Sequence, residues 1–125
     1  MSHFTTIKTE IYDLDILIQT LRDLNLSFKK GGSIPRPQRL NVDIAVSINC
    51  HYCLGFSRNQ EKKAYEIITD EEYARRESVK ETMSRILNGY AYRKVLHETR
   101  RRGFALVQEE RIDAETTKLV LRKVV

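Results

Sequence analysis

Two cysteines that could bind a metal or undergo redox chemistry stand three residues apart in the stretch INCHYCLGF, where His51 lies between Cys50 and Cys53. Thiolate and imidazole groups at this spacing can bind zinc or cycle between dithiol and disulfide. A closed zinc site needs about four ligands, and the only other histidines are His3 and His97. A redox CxxC usually begins a helix, whereas the alternating residues around this pair predict a hairpin turn after a strand. We therefore interpret both residues as reduced turn cysteines, with redox, disulfide and metal binding as less favoured alternatives.

A second group that could do chemistry is cationic and lies near the end of a predicted helix. Its members are Arg93, Lys94, Arg100, Arg101 and Arg102. RNA binding needs such charges on one face with aromatic rings that stack on bases, and Tyr90 and Tyr92 are close in sequence. Cations in a last helical turn also complement the helix dipole, and Glu98 dilutes their field. We favour a solvated helix end, with anion or nucleic-acid binding as the alternative.

A further cationic patch is predicted in the loop between residues 29 and 39. It comprises Lys29, Lys30, Arg36 and Arg39.

Nucleophilic catalysis has weak support in this sequence. His3 has the hydroxyls of Ser2, Thr5 and Thr6 as neighbours, and His97 would have to approach across the fold. A hydrolase triad also needs a nucleophile in a strained turn, and no GxSxG elbow, Walker loop, dinucleotide glycine pattern or HExxH motif occurs. We predict no catalytic residue and no cofactor, and we lean against an enzyme.

The composition indicates one soluble domain spanning residues 1–125. Hydrophobic residues make up 41% and charged residues 31% of the 125 residues, and the formal charge is +5. These values are ordinary for a globular protein that buries its own core. No apolar run approaches the ~18 residues of a membrane span, so we predict no membrane insertion. The charge permits anionic partners without requiring them.

The first elements are a strand and an amphipathic helix. Residues 4–11 alternate with a period of two, which is typical of a strand. One helical stripe follows, with Asp13 as its N-cap and Asn25 at its end. The stripe comprises Leu14, Leu17, Ile18, Leu21 and Leu24. Its central residues, Leu17 and Leu21, are predicted to be buried.

The central part of the chain predicts a basic loop followed by a meander of strands. Residues 29–39 contain two glycines and two prolines, so neither a helix nor a central strand is expected there. The next stretch, LNVDIAVSI, alternates over residues 40–48 and predicts one half-buried strand with Leu40, Val42 and Ile44 on the same face. Shorter strands are predicted at 53–57 and 64–69.

The last third predicts a long helix and a hairpin. A helical turn can form within residues 70–77, and Ser78 with Glu81 forms a predicted capping box. The apolar stripe of the long helix comprises Val79, Met83, Leu87, Ala91 and Val95, flanked by Ile86 and Tyr90. Gly89 inside the helix indicates a kink or a close helix–sheet contact. Gly103 ends the helix, and strands at 104–109 and 116–124 follow.

These elements predict an α+β fold. We expect a mainly antiparallel sheet of five or six strands with two amphipathic helices on one face, in the order β-α-β-β-β-α-β-β. The pattern leaves open whether the sheet closes into a barrel.

Three segments resemble a known family of uncharacterised proteins. They are MSHFTTIKTEIYDLDILIQTLRDLN, DIAVSI followed by LGF, and SVKETMSRILNGYAYRKVLHETRRRGFALVQEE. They are similar to the hypothetical chloroplast reading frame thirty-five proteins of algal plastids and cyanobacteria. The resemblance implies a plastid stroma or a cyanobacterial cytoplasm, and it carries no activity, cofactor or catalytic residue to this sequence. The cysteine pair is not part of the family pattern, which weakens a shared role for it.

The function that we favour is a small noncatalytic binding or accessory protein of the photosynthetic lineage with a protein partner. The alternatives are RNA binding through the basic end of the long helix and a redox or metal role for the CxxC. An exposed apolar patch would favour a protein partner. A surface that joins basic and aromatic side chains would favour RNA binding, and a deep pocket lined by polar groups would favour an enzyme. The oligomeric state is left open.

Overall fold

The computed structural model describes residues 3–35, 37–113 and 116–123. Its strands are β1 Phe4–Ile11, β2 Phe28–Lys30, β3 Ser33–Ile34, β4 Leu40–Asn41, β5 Ile44–Ile48, β6 His51–Arg58, β7 Tyr65–Asp70, β8 Phe104–Arg111 and β9 Thr117–Lys123. Its helices are α1 Leu14–Asp23, α2 Glu71–Ala74 and α3 Glu77–Arg101. The predicted α+β class and order are confirmed, with β2 and β3 as short additions; β4 lies within the predicted strand 40–48, and α2 within the segment where a helical turn was predicted.

Five strands form one antiparallel sheet in the order β1-β7-β6-β5-β2. The sheet is open, because β1 and β2 are its two edges. Strands β5, β6 and β7 follow one another across short turns, as the sequence predicted. The first strand pairs with β7, from Phe4 opposite Asp70 to Ile11 opposite Tyr65.

The main core lies between one face of this sheet and helices α1 and α3. Leu17 and Leu21 are fully buried, as predicted. Asp13 caps α1, since its Oδ1 accepts a hydrogen bond from the Ile16 amide at 3.1 Å. Leu14, which the sequence placed on the same stripe, is 36% exposed. The buried part of the stripe therefore begins after Leu14.

A smaller core covers the opposite face of the sheet. The short β3–β4 ladder lies on this face, and its Ile34 is buried together with Val42 and Ala45. The prediction of one strand over residues 40–48 is wrong, because the strand is interrupted between Asn41 and Ile44. As a result, Val42 packs on the face of the sheet opposite Ile44. Backbone hydrogen bonds cause this break: the Asp43 amide donates to the Phe56 carbonyl at 2.9 Å, and the Asp43 carbonyl accepts from Gly31.

The predicted basic loop has neither a helix nor a central strand, but it contains short strands that the sequence did not predict. Residues 28–30 form an edge strand on β5, and Ser33–Ile34 pairs with Leu40–Asn41. An edge strand tolerates the neighbouring glycines and prolines because only one side of it must be hydrogen-bonded.

Helix α3 begins at Glu77, and the predicted capping box does not form. Arg76 occupies the N-cap position without a side-chain hydrogen bond. The buried residues of α3 are Val79, Ile86 and Tyr90, whereas Val95 of the predicted stripe is 42% exposed. The predicted stripe repeats every four residues and therefore rotates by about 40° per step on a helix of 3.6 residues per turn. Ala91 and Val95 consequently face away from the core that Ile86 and Tyr90 contact.

Gly89 marks a close contact between helices rather than between helix and sheet. A Cβ atom at this position would lie 3.0 Å from Cγ2 of Thr20 on α1.

Strands β8 and β9 form a separate two-stranded sheet. They pack beside α3 rather than extending the main sheet, so the main sheet has the lower of the two predicted strand numbers. Within the described ranges, no helix has the length and apolarity needed to cross a membrane.

Candidate functional sites

The CxxC residues occupy two different environments. Asn49 and Cys50 form the tight turn between β5 and β6 with φ values of 51° and 67°. Cys50 thus lies at a turn, as predicted, and it is exposed there. Cys53 was predicted at the turn but lies on β6, where it is 4% exposed in the main core. Both are free thiols. Burial raises the pKa of the Cys53 thiol above its ordinary value, which disfavours the nucleophilic thiolate.

Potential metal ligands do not gather around this turn. Among residues 3–35, 37–113 and 116–123, no group of three or more His, Cys, Asp or Glu side chains could hold an ion. His51 is exposed at the start of β6. The CxxC therefore stands as one exposed and one buried thiol without a described partner for a metal.

His3 and His97 are far apart. The His3 carbonyl accepts a hydrogen bond from the Glu71 amide at 2.8 Å, beside the beginning of α2. His97 lies on α3 twenty residues after Glu77, roughly 30 Å further along the helix at 1.5 Å per residue. Ser2, the neighbouring hydroxyl residue, lies outside the described residues.

Acidic side chains accompany several of the cations of α3. Arg93 binds Asp23 of α1, with both Nε and Nη2 2.8 Å from Oδ2. Lys94 Nζ lies 3.3 Å from Glu98 Oε1, and Arg101 Nη1 lies 3.7 Å from the same oxygen. The hydrogen bond from Lys94 lowers the pKa of Glu98. These pairs reduce the positive field at this end of the helix.

The two tyrosines near these cations have structural contacts. Tyr90 Oη accepts hydrogen bonds from the amides of Tyr12 and Asp13, at 3.2 and 3.0 Å, and so anchors the entry to α1. Tyr92 Oη donates to Glu109 Oε2 of β8 at 3.0 Å. Desolvation and this hydrogen bond raise the pKa of Tyr92. Tyr90 is buried, whereas Tyr92 is half-buried and lines a shallow cleft together with Arg93 and Arg100.

The basic loop borders a cleft that the sequence did not reveal. The cleft has a volume of about 610 Å³, and Lys29 and Arg39 line it together with His51, Tyr52 and Tyr73. Alternation along β2 and β6 signals which side chains share a face, but the approach of α2 to the β5–β6 turn has no sequence signal. Lys30 is not among the lining residues, and Arg36 lies outside the described residues.

Exposed apolar side chains concentrate around the β8–β9 hairpin. Within the described ranges, five of the seven exposed large hydrophobic residues lie in or beside it: Val95, Leu106, Val107, Ile112 and Val120. Their exposed fractions range from 36% for Val120 to 60% for Ile112. Such a concentration is typical of a surface that binds another molecule.

The outer edge of β9 is the second feature of this hairpin. Within the described part of the chain, β9 pairs with β8 alone. In an antiparallel pair, every second residue directs its backbone N–H and C=O away from its partner. The centre of β9 is apolar, Leu119 to Leu121, between Lys118 on one side and Arg122 and Lys123 on the other. The edge thus combines unpaired backbone groups with apolar and cationic side chains.

These features define a class: an α+β protein with an open, helix-covered sheet and an added hairpin whose apolar surface is exposed. Residues 11–120 match the family described as "Protein of unknown function (DUF1257)", and the chain belongs to this family. The resemblance stated from the sequence is thereby confirmed.

Named relatives come from plastid-bearing algae. The chain is 28% identical to "Uncharacterized protein ycf35" of Pyropia yezoensis over 127 aligned positions, which cover 98% of each chain. The proteins of the same name from Cyanophora paradoxa and Guillardia theta are 28% and 29% identical over the same share. These relatives are plastid-encoded. No solved structure gives a significant match.

Proposed function

We propose that this chain is a small noncatalytic binding protein that acts through a protein partner, and that the partner adds a strand to β9. The observation that carries this proposal is the outer edge of β9, which has no neighbouring strand among the described residues. A two-stranded hairpin is only marginally stable in water by itself. Addition of a third strand would pair the free backbone groups and cover the apolar side chains.

The side chains of β9 specify the chemistry of the partner segment. Leu119, Val120 and Leu121 fit an extended segment with an apolar centre. Lys118 and Arg122 near the ends of the strand fit acidic residues on either side of that centre, because opposite charges on neighbouring strands attract. The partner is therefore a protein that presents an extended apolar segment with acidic flanks.

A second copy of this chain fits the edge less well. Antiparallel pairing of two β9 strands about Val120 would place Lys118 opposite Arg122 of the other copy, and Thr117 opposite Lys123. Like charges directly opposite one another destabilise a strand pair.

RNA binding by the end of α3 is also less favoured. Arg93 is held by Asp23, and Lys94 and Arg101 share Glu98. An RNA phosphate would have to compete with these carboxylates for the same cations.

The compartment proposed from the relatives is the plastid stroma, or the cytoplasm if the chain comes from a cyanobacterium. Fractionation of the native source with an antibody to this chain tests the compartment.

Residues 1–125 are proposed to act as one domain, since α3 packs on the main core through Ile86 and is hydrogen-bonded to β8 through Tyr92.

The test of the binding proposal is site-directed capture followed by measurement with purified components. A photoreactive benzophenone side chain at Val120 is expected to crosslink a partner in native lysate, and the same group at Tyr12, an exposed residue outside the hairpin, is the matched control. The captured protein is then purified, and its Kd for the chain is measured. Val120→Glu should weaken binding about tenfold or more, because it puts a carboxylate against an apolar segment with acidic flanks.

A second variant pair separates the edge from general electrostatics. Changing Arg122 and Lys123 together to Glu should weaken binding, whereas changing the exposed loop residues Lys62 and Lys63 to Glu should not. Equal binding by wild type and Val120→Glu would overturn the proposal. Sedimentation showing a wild-type dimer that Val120→Glu dissociates would also overturn it, since the occupant of β9 would then be a second copy.

A further inference from the structure

The cleft beside the basic loop is independent of the hairpin and has a chemistry of its own. Its volume of about 610 Å³ lies within the range of small-molecule sites in proteins. Four parts of the chain line it: β2 with the segment from it to β3, the segment leading into β4, the β5–β6 turn with the start of β6, and helix α2, which supplies Tyr73. The proposal that a partner adds a strand to β9 does not use any of these residues.

The charge of the cleft is positive. Lys29 and Arg39 line it, and no acidic side chain is among the described residues that form its wall. Neither cation makes an ion pair with another described residue, in contrast to Arg93, Lys94 and Arg101 of α3. Low-dielectric walls concentrate the field of such cations in the cleft. The cleft therefore selects an anion.

Aromatic rings lie beside these cations. The Lys29 ammonium is 5.0 Å from the centre of the Tyr52 ring, and the Arg76 guanidinium is 4.6 Å from the centre of the Tyr73 ring. Lys29 is exposed, and a cation over a ring at an exposed site is only weakly held. An arriving phosphate would attract the ammonium more strongly and free the ring face for a planar group.

The glycines of the turn do not form a phosphate-binding loop. The Gly31 amide already donates to the Asp43 carbonyl at 2.6 Å, and the Gly32 carbonyl accepts from Val42 at 3.0 Å. The Gly31 amide is consequently not free for an anion, and the positive side chains that line the cleft are Lys29 and Arg39.

We propose that this cleft binds a nucleotide, with its phosphate held by Lys29 and Arg39 and its base stacked on Tyr52. Base–aromatic stacking accepts any base, so the inferred class is a nucleotide without preference for one base. The same chemistry is available from a free nucleotide and from a nucleotide within single-stranded RNA, and the size of the cleft favours the free nucleotide.

The test is titration calorimetry with ADP, adenosine, inorganic phosphate and a tetraribonucleotide as probes. ADP is expected to bind, and adenosine and inorganic phosphate to bind at least about tenfold more weakly, because each supplies only half of the contacts. Lys29→Gln and Arg39→Gln should each weaken ADP binding about tenfold or more, the usual loss for one charge-assisted hydrogen bond. Lys30→Gln is the matched control, since Lys30 is adjacent to Lys29 and does not line the cleft.

Tyr52→Leu separates stacking from electrostatics. It should reduce the affinity for ADP and leave that for inorganic phosphate unchanged, and amide chemical shifts around Gly31 and Tyr52 should move on addition of ADP to the wild type. If Lys30→Gln lost as much ADP affinity as Lys29→Gln, the binding would be due to the general positive charge of the surface, and the proposed site would be overturned. Phosphate binding as tight as ADP, tetraribonucleotide binding more than tenfold tighter than ADP, or no binding at millimolar ADP would each overturn the proposal.

Discussion

Val42 lies directly over Gly55, and the second core depends on this contact. A Cβ atom at position 55 would be 2.5 Å from Cγ1 of Val42, a separation that real carbon atoms do not reach. Val42 is 5% exposed and β-branched, so it cannot rotate away freely. Glycine is therefore required at this point of β6 for side-chain packing rather than for backbone conformation.

Gly55→Ala is expected to lower the free energy of unfolding by about 1 to 3 kcal/mol through overpacking. The measurement is urea denaturation of wild type, Gly55→Ala, Val42→Ala and the double variant. The cost of Gly55→Ala should shrink in the Val42→Ala background, because the clashing methyl group is gone. An unchanged cost in both backgrounds would show that Val42 is not the obstacle.

Cys53 couples stability to pH through its burial. Burial raises its pKa in the folded state, whereas in the unfolded chain the thiol ionises near its ordinary pKa of ~8.5. Above that pH the unfolded state releases a proton that the folded state keeps, so the contribution of Cys53 to stability is present below pH ~8.5 and lost as the pH rises through the folded pKa.

The expected result is a steeper fall in Tm above pH ~8.5 for the wild type than for Cys53→Ala, measured by thermal melts between pH 7 and 10. Exposed Cys50 is the control, and Cys50→Ala should follow the wild type. Parallel curves for wild type and Cys53→Ala would contradict a thiol buried in the fold.

At the scale of elements, helix α1 holds the main core through its central turn. Leu17 and Leu21 are fully buried against the sheet and α3. Either residue changed to Ala should cost about 2 to 5 kcal/mol, as core leucines usually do. Leu14→Ala is the matched control with a smaller expected loss, since Leu14 is 36% exposed. Denaturation curves that leave all three variants at wild-type stability would refute the burial of this stripe.

The C-terminal end of α3 provides the second test at this scale. Arg102 and Gly103 amides donate to the last helical carbonyls, so the end is already capped by backbone. Changing Arg100, Arg101 and Arg102 to Gln should therefore reduce stability modestly, by about 0.3 to 1 kcal/mol per charge at most. Fluorescence anisotropy with mixed single-stranded RNA at two salt concentrations should show no affinity to lose. Submicromolar wild-type binding that the triple variant abolishes would restore the RNA interpretation.

An element could be predicted from the sequence when the contacts that define it join residues close together in the chain. Asp13, Asn25 and Gly103 mark helix ends through local hydrogen bonds and left-handed backbone, which sequence patterns capture. The break at Asp43 depends on hydrogen bonds to residues 31 and 56, and no local pattern encodes those partners.

The candidate sites were less predictable for the same reason. Cys50 was placed correctly because its turn is local, whereas the burial of Cys53 depends on how β6 faces the helices. The cations of α3 were visible in the sequence, but the pairing of Arg93 with Asp23 joins residues seventy positions apart.

At the scale of the whole molecule, stability and interaction are separated in space. The covered sheet and the two long helices contain the residues of the main core, and the β8–β9 hairpin contains most of the large apolar side chains that are exposed in the described part of the chain. A hairpin with few buried contacts should open more readily than the central strands. This arrangement suits a protein whose folded body presents an edge for a partner.

Hydrogen–deuterium exchange of the free and partner-bound chain tests the central claim most directly. In the free chain, amides of β8 and β9 should exchange faster than those of β5, β6 and β7. With the captured partner bound, protection should rise over Thr117–Lys123 and stay unchanged in the central strands. Protection that appears at the end of α3 or across the main sheet while β9 continues to exchange rapidly would contradict strand addition at this edge.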